Sequence, residues 1–487
     1  MHLGEILVAH KLTTSQGVLD ALVRQQSEGG PLAENVVALG LATQAQIAAV
    51  VNTTPASPRT LQDTGIARGN LLNLMLKFMH LESRETVSSI ATAMRLPDRI
   101  VEETMQEAVH RNLVRAMGTL PGLVPAIRYM LSGEGHVVVA DALNQNLYIG
   151  PAPVPLTAYQ EQLNKQLIRN EILDAERLKN GLAGLAMHNR YIRKLLPAIN
   201  AGRTMLLFGP PGNGKTTIAN RIASLFKDTI YIPYAVEISG QIMKVFDQSY
   251  HQRSISESEI LDLASHEGLQ IEAFDDRWVL CRRPFATVAG ELTLDMLDLR
   301  HDSEVRFYDA PTHVKAMNGV FLIDDFGRQR VSPTELLNRW IGPMEARIDY
   351  FRLHTGRTFS LPFDQLLIFS TNIDPQDIMD QAFLRRIPYK IRISQPDKAE
   401  YHSLLTTTAS SRGFTVPDDV FEFIVDALTV HSKFGLAYFQ PKFICDQFDE
   451  VRHSFAIEPV LTKELAAEAL ANLYVQIESG EVPCNRH

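Results

Sequence analysis

Gly209-Pro210-Pro211-Gly212-Asn213-Gly214-Lys215-Thr216 fits the pattern G-x-x-x-x-G-K-[ST]. An apolar run at residues 204–208 precedes this loop and a helix-forming run at residues 217–223 follows it, so the local order is strand, loop, helix. Glycines let the backbone N–H groups of such a loop turn inward around nucleotide phosphates, and the helix adds the positive end of its dipole. We therefore expect the loop and Thr217 to bind ATP, with Lys215 on the β- and γ-phosphates and Thr216 on Mg²⁺.

Two further apolar runs end in polar residues that suit the same site. Residues 319–323 are typical of a buried parallel strand and are followed by Asp324 and Asp325. Because ligands bind at the carboxyl ends of such strands, we expect Asp324 to hold Mg²⁺ through water and Asp325 to orient or deprotonate the attacking water. Residues 366–371 form another such strand, which leads into Asn372 and places it to touch the γ-phosphate. Residues 229–232 are a further buried-strand candidate, and the chain from there to Asp309 shows no regular pattern.

The composition is that of an ordinary globular protein. The 487 residues carry a net charge of −9, with 45% hydrophobic and 21% charged residues. This net negative charge argues against a protein that binds nucleic acid along its whole length. The three cysteines show no C-x-x-C spacing, so neither a disulfide framework nor a zinc site is predicted. No apolar run reaches the length of a membrane span, and we expect a cytoplasmic protein.

The order of the downstream elements resembles that of the AAA+ ATPases over about residues 181–480. Residues 350–361 are typical of strand, turn and strand, and residues 380–387 of a short helix closed by two arginines. This hairpin resembles the insertion before the first sensor in MoxR-like chaperones and bacterial enhancer-binding activators. The resemblance implies an α/β P-loop core with a parallel sheet at 181–395 and an α-helical lid at 396–480. It gives these roles: Gly209 to Thr216 as the Walker A loop, Asp324 and Asp325 as the Walker B pair, Asn372 as the first sensor, and Arg385 or Arg386 as the finger that enters a neighbouring subunit's site.

In the lid, Gln440-Pro441-Lys442 is similar to the second sensor of the family, with Lys442 in place of the usual arginine. Arg452, farther along the same predicted helix, is the alternative for that role. Asp325 stands where glutamate is more common in the family, although replication initiators and helicase loaders carry the same Asp-Asp pair. The resemblance also implies a homo-oligomer, usually a ring of six.

Residues 1–54 contain one short unit twice, at an offset of 29 residues, and predict an α-helical domain. Each copy is typical of a short helix, a turn and a longer amphipathic helix, with Thr13 or Thr14 and Thr43 as N-caps. The spacing resembles the N-terminal domain of type II secretion and type IV pilus assembly ATPases, some of which bind a cyclic dinucleotide. His2 and Pro31 replace the arginines of that motif, so a docking module is favoured over a ligand-binding one.

Residues 66–150 predict a winged helix, after a proline-bearing linker at 55–63. Three helical patterns are followed by two short strands around a Gly-Pro turn. The third helix carries Glu102, Glu103 and Glu107, which oppose DNA phosphates, so protein docking is favoured over DNA binding.

Three function classes follow from these features. The favoured one is an oligomeric ATPase that remodels or assembles a protein partner recruited by its N-terminal modules. One alternative is a nucleic-acid motor, loader or transcription regulator that binds DNA through the winged helix, which the acidic third helix disfavours. The other is a nucleotide-gated scaffold with little turnover, which the intact set of Lys215, Asp324, Asn372 and the arginine pair disfavours.

Overall fold

The computed structural model describes residues 2–120, 126–183, 189–254, 274–431, 435–455 and 457–473. Its helices are α1 (Leu3–Ala9), α2 (Ser15–Glu28), α3 (Leu32–Ala38), α4 (Gln44–Thr53), α5 (Arg68–Leu81), α6 (Val87–Met94), α7 (Asp98–His110), α8 (Gly133–Gln145), α9 (Leu156–Lys165), α10 (Ala175–Gly181), α11 (Asn189–Asn200), α12 (Lys215–Leu225), α13 (Thr312–Lys315), α14 (Pro333–Ala346), α15 (Pro375–Ile378), α16 (Gln381–Arg386), α17 (Lys398–Ser411), α18 (Asp418–His431), α19 (Gln440–Phe455) and α20 (Lys463–Leu473). Its strands are β1 (Val114–Leu120), β2 (Ala126–Leu131), β3 (Val154–Pro155), β4 (Met205–Phe208), β5 (Thr229–Pro233), β6 (Ala235–Ile238), β7 (Gln241–Lys244), β8 (Trp278–Arg282), β9 (Phe285–Val288), β10 (Arg300–His301), β11 (Tyr308–Asp309), β12 (Val320–Ile323), β13 (Ile348–Arg352), β14 (Thr358–Pro362), β15 (Leu366–Thr371) and β16 (Tyr389–Arg392).

A parallel sheet with the strand order β16-β4-β15-β12-β9 carries the phosphate loop. Both faces of its central strands are covered, which is why β4, β12 and most of β15 are apolar, whereas the edge strand β16 carries the exposed Lys390 and Arg392. On β12, Val320 and Leu322 pack with α11 and α12, whereas Phe321 and Ile323 pack with α14. Burying a side chain such as Phe321 stabilises the fold by roughly 1.5–3 kcal/mol. The α/β core expected from the sequence is therefore present.

The sequence pattern does not predict β9, the edge strand of this sheet. Phe285 of β9 lies opposite Val320 in parallel register. Residues 229–232 do form a buried strand, β5, but it pairs antiparallel with β8 and lies outside the central sheet. The expectation of irregular chain up to Asp309 is wrong, because β6 to β11 lie in this segment. These strands are at most five residues long, so no extended apolar run marks them.

A second sheet, with the order β10-β11-β7-β6-β3, is built mainly from the segment between α12 and β12. We call it the accessory sheet. The predicted strand, turn and strand at 350–361 are the antiparallel pair β13–β14, with Phe351 opposite Phe359. Both phenylalanines are buried in the apolar core that they share with the accessory sheet. The tip is also held, since the backbone N–H of His354 donates to the Tyr308 hydroxyl at 2.8 Å. The face of the hairpin that carries Phe351 and Phe359 is therefore buried against other parts of the same chain.

The two N-terminal repeat copies form the predicted helix pairs, α1 with α2 and α3 with α4. The hydroxyls of Thr14 and Thr43 accept hydrogen bonds from the backbone N–H groups of Gly17 and Gln46, so both predicted caps are formed. The end of α4 contacts strand β5, where the Thr54 and Tyr231 hydroxyls lie 2.8 Å apart. The four helices are thus in direct contact with the rest of the protein.

Helices α5, α6 and α7 are followed by the antiparallel hairpin β1–β2, in which Val114 lies opposite Leu131. We call residues 66–150 the helix-and-hairpin module. Its apolar core includes Ala235 of the accessory sheet. Arg277 is buried beside it, donating to the carbonyl oxygens of Thr64 at 2.9 Å and Pro153 at 3.0 Å. The module therefore packs directly on the accessory sheet.

Helices α17 to α20 form a C-terminal helical bundle around its own apolar core, which includes Tyr401, Leu405, Ile444 and Phe448. The segment before α19 brings this bundle to the phosphate loop. Within the described ranges, no helix is both long and apolar enough to cross a membrane.

Candidate active site

The loop between β4 and α12 has the backbone shape that phosphate binding requires. Gly209 has φ of 141° and Gly212 has φ of 74°, conformations that residues with a side chain rarely adopt. A Cβ atom on Gly209 would lie 2.2 Å from the carbonyl oxygen of Ile393. Pro210 and Gly214 are half-buried, whereas Pro211 and Thr217 are exposed. The loop thus keeps its backbone accessible at the start of a helix, where anions bind.

The Lys215 side chain is folded into the loop. Its Nζ donates to the carbonyl oxygens of Gly209 and Pro210, both at 3.0 Å. Burial lowers the pKa of Lys215, and the nearby carboxylates Asp324 and Asp325 oppose this shift. The ammonium group therefore lies within the loop that would surround the phosphates.

Thr216 and Asp324 meet although 108 residues separate them in the chain. The Thr216 hydroxyl donates to Oδ2 of Asp324 at 2.7 Å. Thr216 lies in the first turn of α12, and Asp324 follows β12, two strands away from β4 in the sheet. Hydroxyl and carboxylate oxygens are the kind of ligands that Mg²⁺ takes, so this pair fits the predicted metal. Elsewhere in the described ranges, no cluster of three or more His, Cys, Asp or Glu residues fits a metal ion.

Asp325 adopts a left-handed backbone conformation, with φ of 47°. This conformation is uncommon outside glycine, and such strain is often found at functional sites. Gln329 stabilises the turn, because its Nε2 donates to the carbonyl oxygens of Asp324 at 2.9 Å and Asp325 at 3.1 Å. No hydrogen bond to the Asp325 carboxylate is found in the part of the chain that the structure describes. Within the described chain the Asp325 carboxylate is therefore available to a ligand, and the sequence motif gave no signal for Gln329, which fixes the turn at Asp325.

Asn372 follows β15 directly beside the phosphate loop. Thr371 lies opposite Phe208 in the parallel pairing of β15 with β4. Asn372 follows Thr371 and Gly209 follows Phe208, so these two residues come directly after neighbouring strand ends. Asn372 is half-buried. The Thr371 hydroxyl donates to the carbonyl oxygen of Phe326 at 2.7 Å and ties this strand end to the turn after Asp325. The tertiary structure thus brings Asn372 to the same edge as the phosphate loop.

The two adjacent arginines of α16 have different surroundings. Nε of Arg386 donates to Oε1 of Glu345 at 2.6 Å, and its Nη1 donates to the carbonyl oxygen of Ala382 at 3.0 Å. Arg385 is exposed and has no hydrogen-bond or ion-pair partner within the described ranges. Of these two arginines, Arg386 alone has a hydrogen-bond or ion-pair partner in the part of the chain that the structure describes.

The start of α19 lies against the phosphate loop. The backbone N–H of Phe439 donates to the carbonyl oxygen of Gly212 at 3.1 Å, and that of Tyr438 donates to Oδ1 of Asn213 at 3.3 Å. Asn213 also donates from Nδ2 to the Pro210 carbonyl oxygen at 3.3 Å, so one buried side chain joins the loop to the bundle. The consensus pattern, in which Asn213 is a variable position, gives no signal for this contact.

The two candidates for the second sensor lie at opposite ends of α19. Lys442 is exposed in the first turn, beside the phosphate loop. Arg452 lies in the last turns, about 15 Å away at 1.5 Å per residue. Its Nη2 donates to Oδ1 of Asp449 at 2.7 Å and to the carbonyl oxygen of Arg412 at 3.2 Å. Arg452 is therefore held inside the helical bundle.

Comparisons with known proteins add the following. A family model described as a domain of unknown function, DUF8689, matches residues 397–472, which is most of the C-terminal bundle. No curated protein matches the sequence. Among solved structures, a point mutant of RuvB from Thermotoga maritima is similar at 16% identity over 64% of this chain and 74% of that one, with a TM-score of 0.30. NtrX from Brucella abortus is similar at 13% identity over 75% of this chain and 65% of that one, with a TM-score of 0.34.

Proposed function

We propose that this chain is an ATPase of the AAA+ class that hydrolyses ATP at the site between the phosphate loop and Asp325. The main support for this proposal is the 2.7 Å hydrogen bond between Thr216 and Asp324, because it joins the phosphate loop to the acidic end of β12. Parallel strands of this kind place ligands at their carboxyl ends. The phosphate loop and the acidic end of β12 are therefore close enough to bind one nucleoside triphosphate together.

Each residue of the site would have a separate role in ATP hydrolysis. Backbone N–H groups of the loop and the Lys215 ammonium would hold the phosphates and neutralise their charge. The Asp325 carboxylate would accept a hydrogen bond from the attacking water and draw its proton as the new bond to the γ-phosphorus forms and the bond to ADP breaks. Asn372 would orient the γ-phosphate from the neighbouring strand end. Thr216 and Asp324 would hold Mg²⁺, which supplies charge stabilisation to the transferring phosphoryl group.

A test of this site compares Thr216→Val with Thr216→Ser in the full chain. Valine removes the hydroxyl and keeps the shape of the side chain, whereas serine keeps the hydroxyl. Phosphate release with ATP and Mg²⁺ should fall strongly in the valine variant and be largely retained in the serine variant. Equal loss in both variants, or no phosphate release from the unmodified chain, would contradict the proposal.

We also propose that the active species is a homo-oligomer, with a hexameric ring as the expected form, in which Arg385 reaches the site of the adjacent subunit. Its exposure and lack of a partner within the described ranges support this choice over Arg386. Lys442, in the first turn of α19, is the proposed second sensor. The ring would form by heterologous contacts, since a finger and a site are different surfaces.

The partner that we propose is a protein client, recruited by the N-terminal helices and the helix-and-hairpin module. Helix α7 exposes three carboxylates, Asp98, Glu102 and Glu103, and one arginine on the same turns, Arg99, and this net negative charge supports a protein partner over DNA. A pull-down from cells with the Asp325→Asn chain and ATP should retain the client, because hydrolysis is blocked while binding is kept. The Lys215→Ala chain is the matched control, and equal capture by both chains would argue against ATP-dependent client binding.

A further inference from the structure

A polar cavity lies between the helix-and-hairpin module and the accessory sheet. Its volume is about 260 Å³, larger than the roughly 150 Å³ of an engineered cavity that binds benzene. Helix α5, the end of α8 and the β6–β7 turn supply its walls. Its polar lining includes Asn70, Asn73, Lys77, Gln145, Glu237 and Gln241. The cavity therefore has room for a small molecule, and its polar lining suits a polar one.

Lys77 is a buried cation in this wall, with 3% of its surface exposed. Its Nζ donates to the carbonyl oxygen of Asn146 at 2.6 Å and to Oδ1 of the same residue at 2.8 Å. An ammonium group has three N–H donors, so one remains for another acceptor. No ion pair to Lys77 is found in the described part of the chain, and burial lowers its pKa to about 8. A buried cation without a counter-charge is costly, and an anionic ligand group would offset that cost.

Glu237 lies in a different wall, formed by β6. Burial raises the pKa of its carboxyl group, and the nearby Asn70 side chain and Gly240 backbone oppose this shift. Its Oε2 is buried and has no hydrogen-bond partner in the described chain. No ion pair joins Glu237 to Lys77 within the described chain, where the Lys77 ammonium contacts Asn146 instead. An acceptor that still needs a donor therefore lines the same cavity as the unpaired cation.

We propose that this cavity binds a small zwitterion of the amino-acid kind, with its carboxylate at Lys77 and its ammonium group at Glu237. The amide side chains of Asn73, Gln145 and Gln241 can both donate and accept, and they suit the remaining polar atoms of such a ligand. The cavity is walled by the helix-and-hairpin module on one side and the accessory sheet on the other. An occupant would thus join the two, and its binding does not depend on the proposed ATPase activity.

The experiment measures the melting temperature of the full chain with each of the twenty L-amino acids at a fixed millimolar concentration. Acetate and ethylamine, each carrying one of the two charges, are the control probes. A ligand that binds only the folded protein stabilises it by RT ln(1 + [L]/Kd), which is about 2.7 kcal/mol at 100 times Kd and corresponds to a rise of roughly 3 °C in a chain of this length. At least one amino acid should raise the melting temperature, and neither acetate nor ethylamine should do so. No shift with any amino acid would overturn the proposal, and an equal shift with acetate would overturn the zwitterion assignment.

Three variants then locate the site by calorimetric titration of the active amino acid. Lys77→Met removes the cation and should lower affinity at least tenfold. Gln241→Trp should block binding by filling the cavity while keeping the Lys77 to Asn146 contacts, so it tests the site even if Lys77→Met folds poorly. Lys179→Met alters an exposed lysine of α10 and should bind as the unmodified chain does. Retained affinity in Gln241→Trp, with a normal melting temperature, would place the ligand elsewhere and overturn the proposal.

Discussion

Arg385→Ala should abolish most ATP hydrolysis, whereas Arg386→Ala should change it little. The two side chains are adjacent in sequence and identical in chemistry, so they form a matched pair. Arg386 is occupied by Glu345 at 2.6 Å, and Arg385 has no partner within the described ranges. If the site is completed by a neighbouring subunit, the unoccupied arginine is the one that can reach it.

The expected magnitudes separate catalysis from stability. An arginine supplied in trans is worth about 10³ to 10⁵ in rate, which is roughly 4 to 7 kcal/mol of transition-state stabilisation. Removing Arg386 breaks an ion pair with an exposed glutamate, which contributes only about 0.2–1 kcal/mol to folding. Arg385→Ala removes no hydrogen bond or ion pair within the described chain, so the melting temperature should change little.

ATPase activity per chain is measured over a wide range of protein concentration. The unmodified chain should become more active per subunit as it assembles, and Arg385→Ala should lose that rise while still binding ATP. Mixing Arg385→Ala with Lys215→Ala should restore part of the activity, because the second variant still offers its arginine to a neighbour that binds ATP. Full activity of dilute monomer would refute the shared site, and selective loss in Arg386→Ala would refute the choice of arginine.

Other expectations concern the nucleotide, the partner and one buried charge. Lys215→Ala should abolish ATP binding in a titration, since the loop loses the cation that neutralises the β- and γ-phosphates; unchanged affinity would end the phosphate-loop assignment. Asp325→Asn should keep ATP binding and lose turnover, which binding and phosphate-release assays measure side by side. The full chain should bind duplex DNA poorly at physiological salt, because the exposed face of α7 is acidic; submicromolar, steeply salt-dependent binding would instead favour a DNA motor. Lys77 has a pKa of about 8 in the folded protein and about 10.4 in an unfolded chain, so the unfolded chain binds more protons between these values. The unfolding free energy of the unmodified chain, relative to Lys77→Met, should therefore rise from about pH 7.5 to about pH 10, as read from urea midpoints; a difference that is flat or falls would contradict a buried, unpaired ammonium.

The sequence by itself determined the phosphate loop and the two strands that end beside it. Glycines at 209, 212 and 214 permit positive φ, and residues 319–323 and 366–371 are long enough apolar runs to predict buried parallel strands. The N-terminal helices were also predictable, because their caps and apolar spacing are local signals. In each case the physical cause acts within a few residues of the chain.

Only the tertiary structure decided which strands share a sheet and which side chains remain available. Phe285–Val288 joins the central sheet and Thr229–Pro233 does not, because the pairing of strands of four or five residues is set by their neighbours and such short strands carry little periodic signal of their own. The difference between Arg385 and Arg386 depends on Glu345, which is 41 residues from Arg386 in the chain. The link from Asn213 to the backbone of Tyr438 spans 225 residues. Such contacts arise from packing between distant segments, and no local pattern of residues encodes them.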